Sequence, residues 1–163
     1  MRIGLIPTSH RAWTKKGVRP ICEYKTKYEW FYIFNVVFPF KYEQFTIFMP
    51  YVNLDTMELF WQEFAKEYGH EQQTIFYDNA GFHQEKHLNY DFLRIVRIPP
   101  YSPELSPAET VWKVYREFVS NKSYENIDEL EKQAMVAFKY IENNKKEILK
   151  RTRFDWLAKY SID

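Results

Sequence analysis

Apolar residues run almost unbroken from Tyr28 to Phe38 and again from Gln44 to Tyr51, with a turn containing Pro39 and Lys41 between them. Such runs predict two adjacent strands buried on both faces. From Asn53 the period changes: Leu54, Met57, Phe60, Trp61 and Phe64 recur at helical spacing, Asn53 or Asp55 stands ready as cap, and Gly69 closes the segment. The aromatic stripe of that helix is core material, and the helix serves as a crossover returning the chain to the next strand. That strand is Thr74-Ile75-Phe76-Tyr77, short, β-branched and aromatic, stopped by Asp78-Asn79 and Gly81. A short helix over Gln84 to Asp91 and a strand over Phe92 to Ile98 follow. Pro99, Pro100 and Pro103 then stiffen the connection, because each fixes its own φ and biases the residue before it toward extended shapes. Ser106-Pro107-Ala108-Glu109 opens a further helix with the sequence of a capping box and a proline at the first helical position.

The last third is helical. Ser123 or Asn126 can cap it, and Ile127, Leu130, Ala134, Met135, Ala137, Phe138 and Ile141 outline an apolar face. After Asn143-Asn144 the pattern resumes weakly through Ile148-Leu149. Lys145, Lys146, Lys150, Arg151 and Arg153 form a basic cluster ahead of Phe154-Asp155-Trp156. This tail reads as a covering helix and a surface for DNA or a partner. No internal repeat, low-complexity run or linker interrupts the chain, so residues 1–163 read as one domain.

Composition narrows the picture. With 163 residues, 45% of them hydrophobic and 20% aromatic, the chain can bury a sizeable core. A formal net charge of +1 sets up no global basic field, so any contact with nucleic acid falls to local patches or to another domain. The lone Cys22 argues against a disulfide framework and fits a reducing compartment. The start has neither the n-region nor the h-region of a signal peptide, and Phe31 to Phe40 is too short and too interrupted to span a bilayer.

Two carboxylates stand at element ends. Asp78 ends a strand, at the edge where open α/β sheets build their sites; an Asx-turn over Asn79-Ala80 explains it equally well. Glu109, 109 − 78 = 31 positions on, is either a capping glutamate or a ligand. His83 is either an orienting group for phosphate or carboxylate, or a hydrogen-bonded structural histidine. Arg11, Lys15, Lys16 and Arg19 crowd a segment with Trp13 and Gly17, which is a phosphate grip or a solvated turn. Lys113 and Arg116, four and seven residues after Glu109, share nearly its helical face, where DNA phosphates or plain solvent would suit them.

The combination of Asp-Asn-Ala-x-x-His (Asp78 to His83) with Pro-Pro-Tyr-Ser-Pro-Glu-Leu-Ser-Pro-Ala-Glu-Thr-Val-Trp (Pro99 to Trp112) resembles the catalytic domain of DDE transposases from bacterial insertion sequences related to the Tc/mariner group. In that family the second acidic residue lies in the first motif. The third lies in Tyr-Ser-Pro-x-Leu-Asn-Pro-x-Glu, with a tryptophan three residues later. Ser106 stands where asparagine is usual, and serine caps equally well. The family's first aspartate belongs to Asp-Glu-x-Arg-x-Gly, followed by Trp-x-x-Lys-Gly; Arg2, Gly4 and Trp13 to Gly17 fit that pattern and put the aspartate two residues ahead of Met1.

The resemblance implies an α/β, ribonuclease H-like fold: a mixed sheet with helices on both faces, its central first strand largely missing. It implies Asp78 and Glu109 as two of three carboxylates holding a pair of Mg2+ or Mn2+ ions, which suits hard cations that take oxygen ligands. DNA, as transposon ends and target, is the implied partner, with a homodimer in a synaptic complex and a bacterial cytoplasmic, nucleoid-associated setting. The family's end-recognition helix-turn-helix domain has no counterpart here. The expected activity is cleavage and strand transfer in the family, negligible in this chain alone. The alternatives are a non-catalytic remnant or partner polypeptide, and another ribonuclease H-like nuclease.

Overall fold

A computed structural model describes residues 1–6, 14–19, 27–77 and 90–160. The expected helix over Gln84 to Asp91 lies almost wholly outside these residues. Strand β1 (Arg2–Gly4) pairs antiparallel with β2 (Trp30–Phe38), and β2 with β3 (Glu43–Met49) in the register Ile33↔Phe48, Phe34↔Ile47. Helix α1 (Leu54–Tyr68) leads to β4 (Gln73–Tyr77), which pairs parallel with β5 (Leu93–Arg97). The helices α2 (Pro107–Val119), α3 (Ile127–Asn143) and α4 (Lys145–Lys150) complete the chain, and Asp155–Tyr160 forms a 3-10 segment.

The start of α1 follows its sequence. Asn53 accepts from the Thr56 amide at 2.8 Å while Thr56 Oγ1 accepts from the Asn53 amide at 3.1 Å, a reciprocal capping box. Gly69 ends the helix with a right-handed φ of −72°; a side chain there would collide with the Ala65 carbonyl, so close approach is what requires glycine.

Alternation along β2 sorts two cores. Phe31 and Ile33 face Val111 and Tyr115 of α2 and Leu130, Ala134, Ala137 and Ile141 of α3. Phe34, Val36 and Phe38 face α1, where Met57, Phe60, Trp61 and Phe64 are buried. The same α1 surface also covers Ile75 and Tyr77 of β4 and Leu93 and Ile95 of β5. Beneath β4, Phe76 meets the rings of Trp156 and Tyr160 at 4.8 and 5.0 Å. The C-terminal tail expected to be surface is thus partly core. Met135, expected on the apolar face of α3, is 42% exposed, because the buried stripe is the narrower set Leu130, Ala134, Ala137 and Ile141.

The mixed sheet is present in two pieces, β1-β2-β3 and β4-β5, with no ladder between them among the described residues. The physical reason is the short β1, which covers only Trp30 to Tyr32 of a nine-residue neighbour.

Burial sets an alkaline limit. The Tyr68 hydroxyl is pushed up to about 12 by desolvation, helped by the Glu67 carboxylate, and Tyr124 to about 12 by desolvation. In the unfolded chain both ionise near pH ~10. Their folded pKa values are raised, so their contribution is full below that pH and is lost as pH rises through the folded values. We expect the urea midpoint to fall between pH 10 and 12, and to fall less steeply in the double variant Tyr68→Phe, Tyr124→Phe.

Candidate functional site

The connection to α2 is stiff as the prolines demand. Pro103–Leu105 makes a 3-10 turn, and Tyr101 before it sits at φ +59° with its side chain 100% exposed. A left-handed tyrosine costs about 1–2 kcal/mol, so the loop holds this residue against its own preference. The sequence signal was there in Pro100-Tyr101-Ser102, but not the conformation.

Glu109 lies in the first turn of α2, where the helix dipole favours a negative charge. The capping box expected at Ser106 is not formed. Ser106 makes no side-chain cap bond, and only its backbone carbonyl accepts from the Glu109 amide at 3.1 Å. The Glu109 carboxylate turns instead along the helix to Arg116, whose Nη1 and Nη2 both donate to Oε2 at 3.3 Å. Seven residues is two helical turns, so both side chains lie on one face and long side chains close the gap. Glu109 is 25% exposed and Arg116 38%. The glutamate is therefore no cap; it is a reachable carboxylate with one cationic partner. Arg116, expected as a phosphate contact, is the residue holding it.

Asp78, His83 and Arg11 lie outside the described residues; the last described residue before Asp78 is Tyr77, the end of β4. Lys15 and Lys16 sit exposed in a turn closed by a Val18 amide to Lys15 carbonyl bond at 3.0 Å, with Gly17 at φ +87° supplying the left-handed position. Neither is ion-paired to Glu109. Lys113 is exposed on α2, one turn beyond Glu109.

Between the two pieces of sheet lies a cavity of about 1180 Å³. Its walls come from β2 (Ile33 to Phe38) and β4 (Gln73 to Tyr77), its roof from Met57, Phe60 and Trp61 of α1, and its floor from the first turns of α2 and from Leu157 and Tyr160. Ser106, Pro107 and Ala108 line it, so the turn that carries Glu109 borders the gap. The space arises from what β1 leaves uncovered, in keeping with the largely missing first strand that the family resemblance implies.

As metal chemistry, a glutamate carboxylate is a hard oxygen donor suited to Mg2+ or Mn2+. No group of three or more metal-ligating side chains occurs among the described residues, and Glu109 is the member of the expected set that they contain. No helix among them is long and apolar enough to cross a membrane.

The chain belongs to the DDE superfamily endonuclease family, whose model matches residues 1–131. It is 32% identical over 108 residues to the uncharacterized protein y4pE/y4sA of Sinorhizobium fredii, a match covering 62% of this chain and 77% of that one. Its fold is similar to that of the Mos1 transposase in a paired-end complex with the left transposon end, with a TM-score of 0.57 at 10% identity, covering 93% of this chain. The chain spans about half of that protein, 53%. The α/β architecture is thus ribonuclease H-like, and the family that the two motifs resemble is the family to which the chain belongs.

Proposed function

We propose that this chain is the catalytic domain of an insertion-sequence transposase that cuts DNA phosphodiesters and transfers the freed 3′-hydroxyl, with Asp78 and Glu109 as two of its metal-binding carboxylates. The observation that carries the reading is Glu109 itself, in a DDE endonuclease family: it is released from capping and reachable, in the first turn of α2, whose Pro107 and Ala108 line a cavity. A divalent pair, when bound, stabilises the attacking and leaving oxygens of an in-line displacement. The chain's own residues orient and attract. Arg116 fixes the Glu109 carboxylate at the start of the helix. Lys113, exposed on α2, meets a phosphate of the DNA that approaches. His83, Arg11, Lys15 and Lys16 are the further DNA-facing candidates.

DNA is the partner because the chemistry needs it, and the Mos1 relative is a complex with a transposon end. Pairing of two copies across two ends, in a bacterial cytoplasm, belongs to the same proposal.

The test is cleavage of a labelled duplex carrying the DNA that borders the gene, with Mg2+ or Mn2+. The full-length protein is compared with its Glu109→Gln and Asp78→Asn variants. Metal-dependent cutting that both variants lose supports the reading. Cutting that survives Glu109→Gln overturns it. For Lys113→Ala we expect weaker DNA binding across all sequences and a salt dependence shallower by about one counterion, read by fluorescence anisotropy from low to high salt.

A further inference from the structure

One end of the three-stranded sheet exposes aromatic rings. Along β2, Phe31 and Ile33 turn to α2 and α3 while Phe34, Val36 and Phe38 turn to α1, so by alternation Trp30 and Tyr32 lie on the α1 face. Helix α1 covers that face from Phe34 onward and leaves the Trp30 end bare. Trp30 is 41% exposed and Tyr28, just ahead of it, 74%. Tyr51, just beyond the Met49 that pairs with Tyr32, is 65% exposed. Single exposed rings are ordinary, whereas rings gathered at one sheet end form a patch.

The patch is charged and held in place. Arg2, opposite Tyr32, lays its guanidinium over the Trp30 ring at 5.3 Å and has no carboxylate partner among the described residues. A guanidinium stacked on an indole keeps its donors available to a phosphate. Gly4, the partner of Trp30, has no side chain to cover the indole, and a Cβ there would press on the Glu29 carbonyl at 3.2 Å. The Tyr51 carbonyl accepts from Thr56 Oγ1 at 3.1 Å, within the cap of α1. The rings therefore stand on fixed backbone, which lowers the cost of ordering them around a ligand.

This is also the end of the fold where the candidate site lies. Lys41, past the far end of β2, bonds Glu71, ahead of β4, at 3.0 Å. The Trp30 end of β2 is thus turned toward the finish of β4 at Tyr77, whose next residue is Asp78. Arg2 and Tyr32 line the cavity that Pro107 and Ala108 border.

We propose that Trp30 and Tyr51 form a stacking platform for unpaired bases of a DNA strand beside the cleavage site, with Arg2 on an adjacent phosphate. The platform deepens the function proposed above and rests on DNA being the partner. Flat rings beside an unpartnered guanidinium complement the π-faces and phosphates of a single strand, and this selects the occupant. Every base has a π-face, so the platform distinguishes unpaired from paired DNA rather than one base from another.

The test measures binding of the full-length protein to fluorescein-labelled duplexes in EDTA. One duplex ends in a single-stranded run of thymidines, the other in the same run built of abasic residues. The thymidine overhang is expected to bind about tenfold more tightly, the order given by a stacked base or two. Trp30→Ala abolishes that difference and still binds the abasic overhang, whereas Trp30→Phe keeps a ring and most of the preference. Tyr51→Ala, at an exposed position, lowers the preference about threefold and provides a reading independent of Trp30. Arg2→Gln weakens both overhangs alike and leaves their ratio. Equal affinity of the unaltered protein for the two overhangs overturns the proposal, and so does a preference that survives Trp30→Ala. Equal affinity together with self-association lost in Trp30→Ala would make the patch a contact between copies of the chain. Because EDTA removes the metal, a base preference in a protein that cuts no DNA counts against the cleavage reading alone. Cutting without a base preference counts against the platform alone.

Discussion

Glu109→Gln is expected to lower metal-dependent DNA cleavage by the complete enzyme about a hundredfold or more while leaving its stability nearly unchanged. The size follows from the several kcal/mol of charge stabilisation that a bound metal supplies, at about 1.4 kcal/mol per factor of ten. The unchanged stability follows from the structure. The Glu109 to Arg116 pair is 25% and 38% exposed, bonded at 3.3 Å, and such pairs contribute roughly 0–1 kcal/mol. Glutamine also keeps an acceptor for Arg116. Single-turnover cleavage and a urea titration of the same preparations separate the two effects. A proportional loss of both would make Glu109 a structural residue.

The second large effect falls on Trp61. Its ring meets Phe60 at 5.2 Å, Phe64 at 5.5 Å and Tyr77 at 6.0 Å, so it ties α1 to β4 as well as to itself. It is 2% exposed and lies in the cluster that covers both sheets. Trp61→Ala is expected to destabilise the fold by about 3–5 kcal/mol, as for other large aromatic truncations in cores. Since domains are commonly stable by about 5–15 kcal/mol, much of the margin would go. Trp61→Phe, which keeps most of the volume, should cost far less. Thermal and urea unfolding measure both; a loss under about 1 kcal/mol for alanine would mean that α1 does not bridge the sheets as described.

Elements whose local chemistry and packing agree were legible from the chain. Helix α1 is capped by Asn53, carries its aromatic stripe inward and stops at Gly69, as its sequence indicates. β2 and β3 read as two-sided strands because Ile33 and Phe34 meet different helices. Where reading failed, the deciding partner was distant or absent from the pattern. Ser106-Pro107-Ala108-Glu109 has the letters of a capping box, yet Arg116 two turns away takes the carboxylate. Met135 shares a helical face with Ala134 on paper, but α2 packs over a narrower stripe. Trp156 stands in the tail read as a surface for DNA or a partner, yet its ring packs on Phe76 of β4. Asp78, which the motif picks out most sharply, lies just beyond the described end of β4. The short β1 behind the cavity was legible through the family pattern at Arg2 and Gly4, whereas the shape of the cavity follows from register and no residue type marks it.

The most direct test of the central claim, that Glu109 is a metal-binding carboxylate, is a Mn2+ titration of the 15N-labelled protein. The account predicts selective paramagnetic broadening of the Ala108, Glu109 and Thr110 amides at the start of α2 at low Mn2+, abolished in Glu109→Gln and reduced in Asp78→Asn. Broadening confined to other carboxylates, or unchanged in Glu109→Gln, would contradict it.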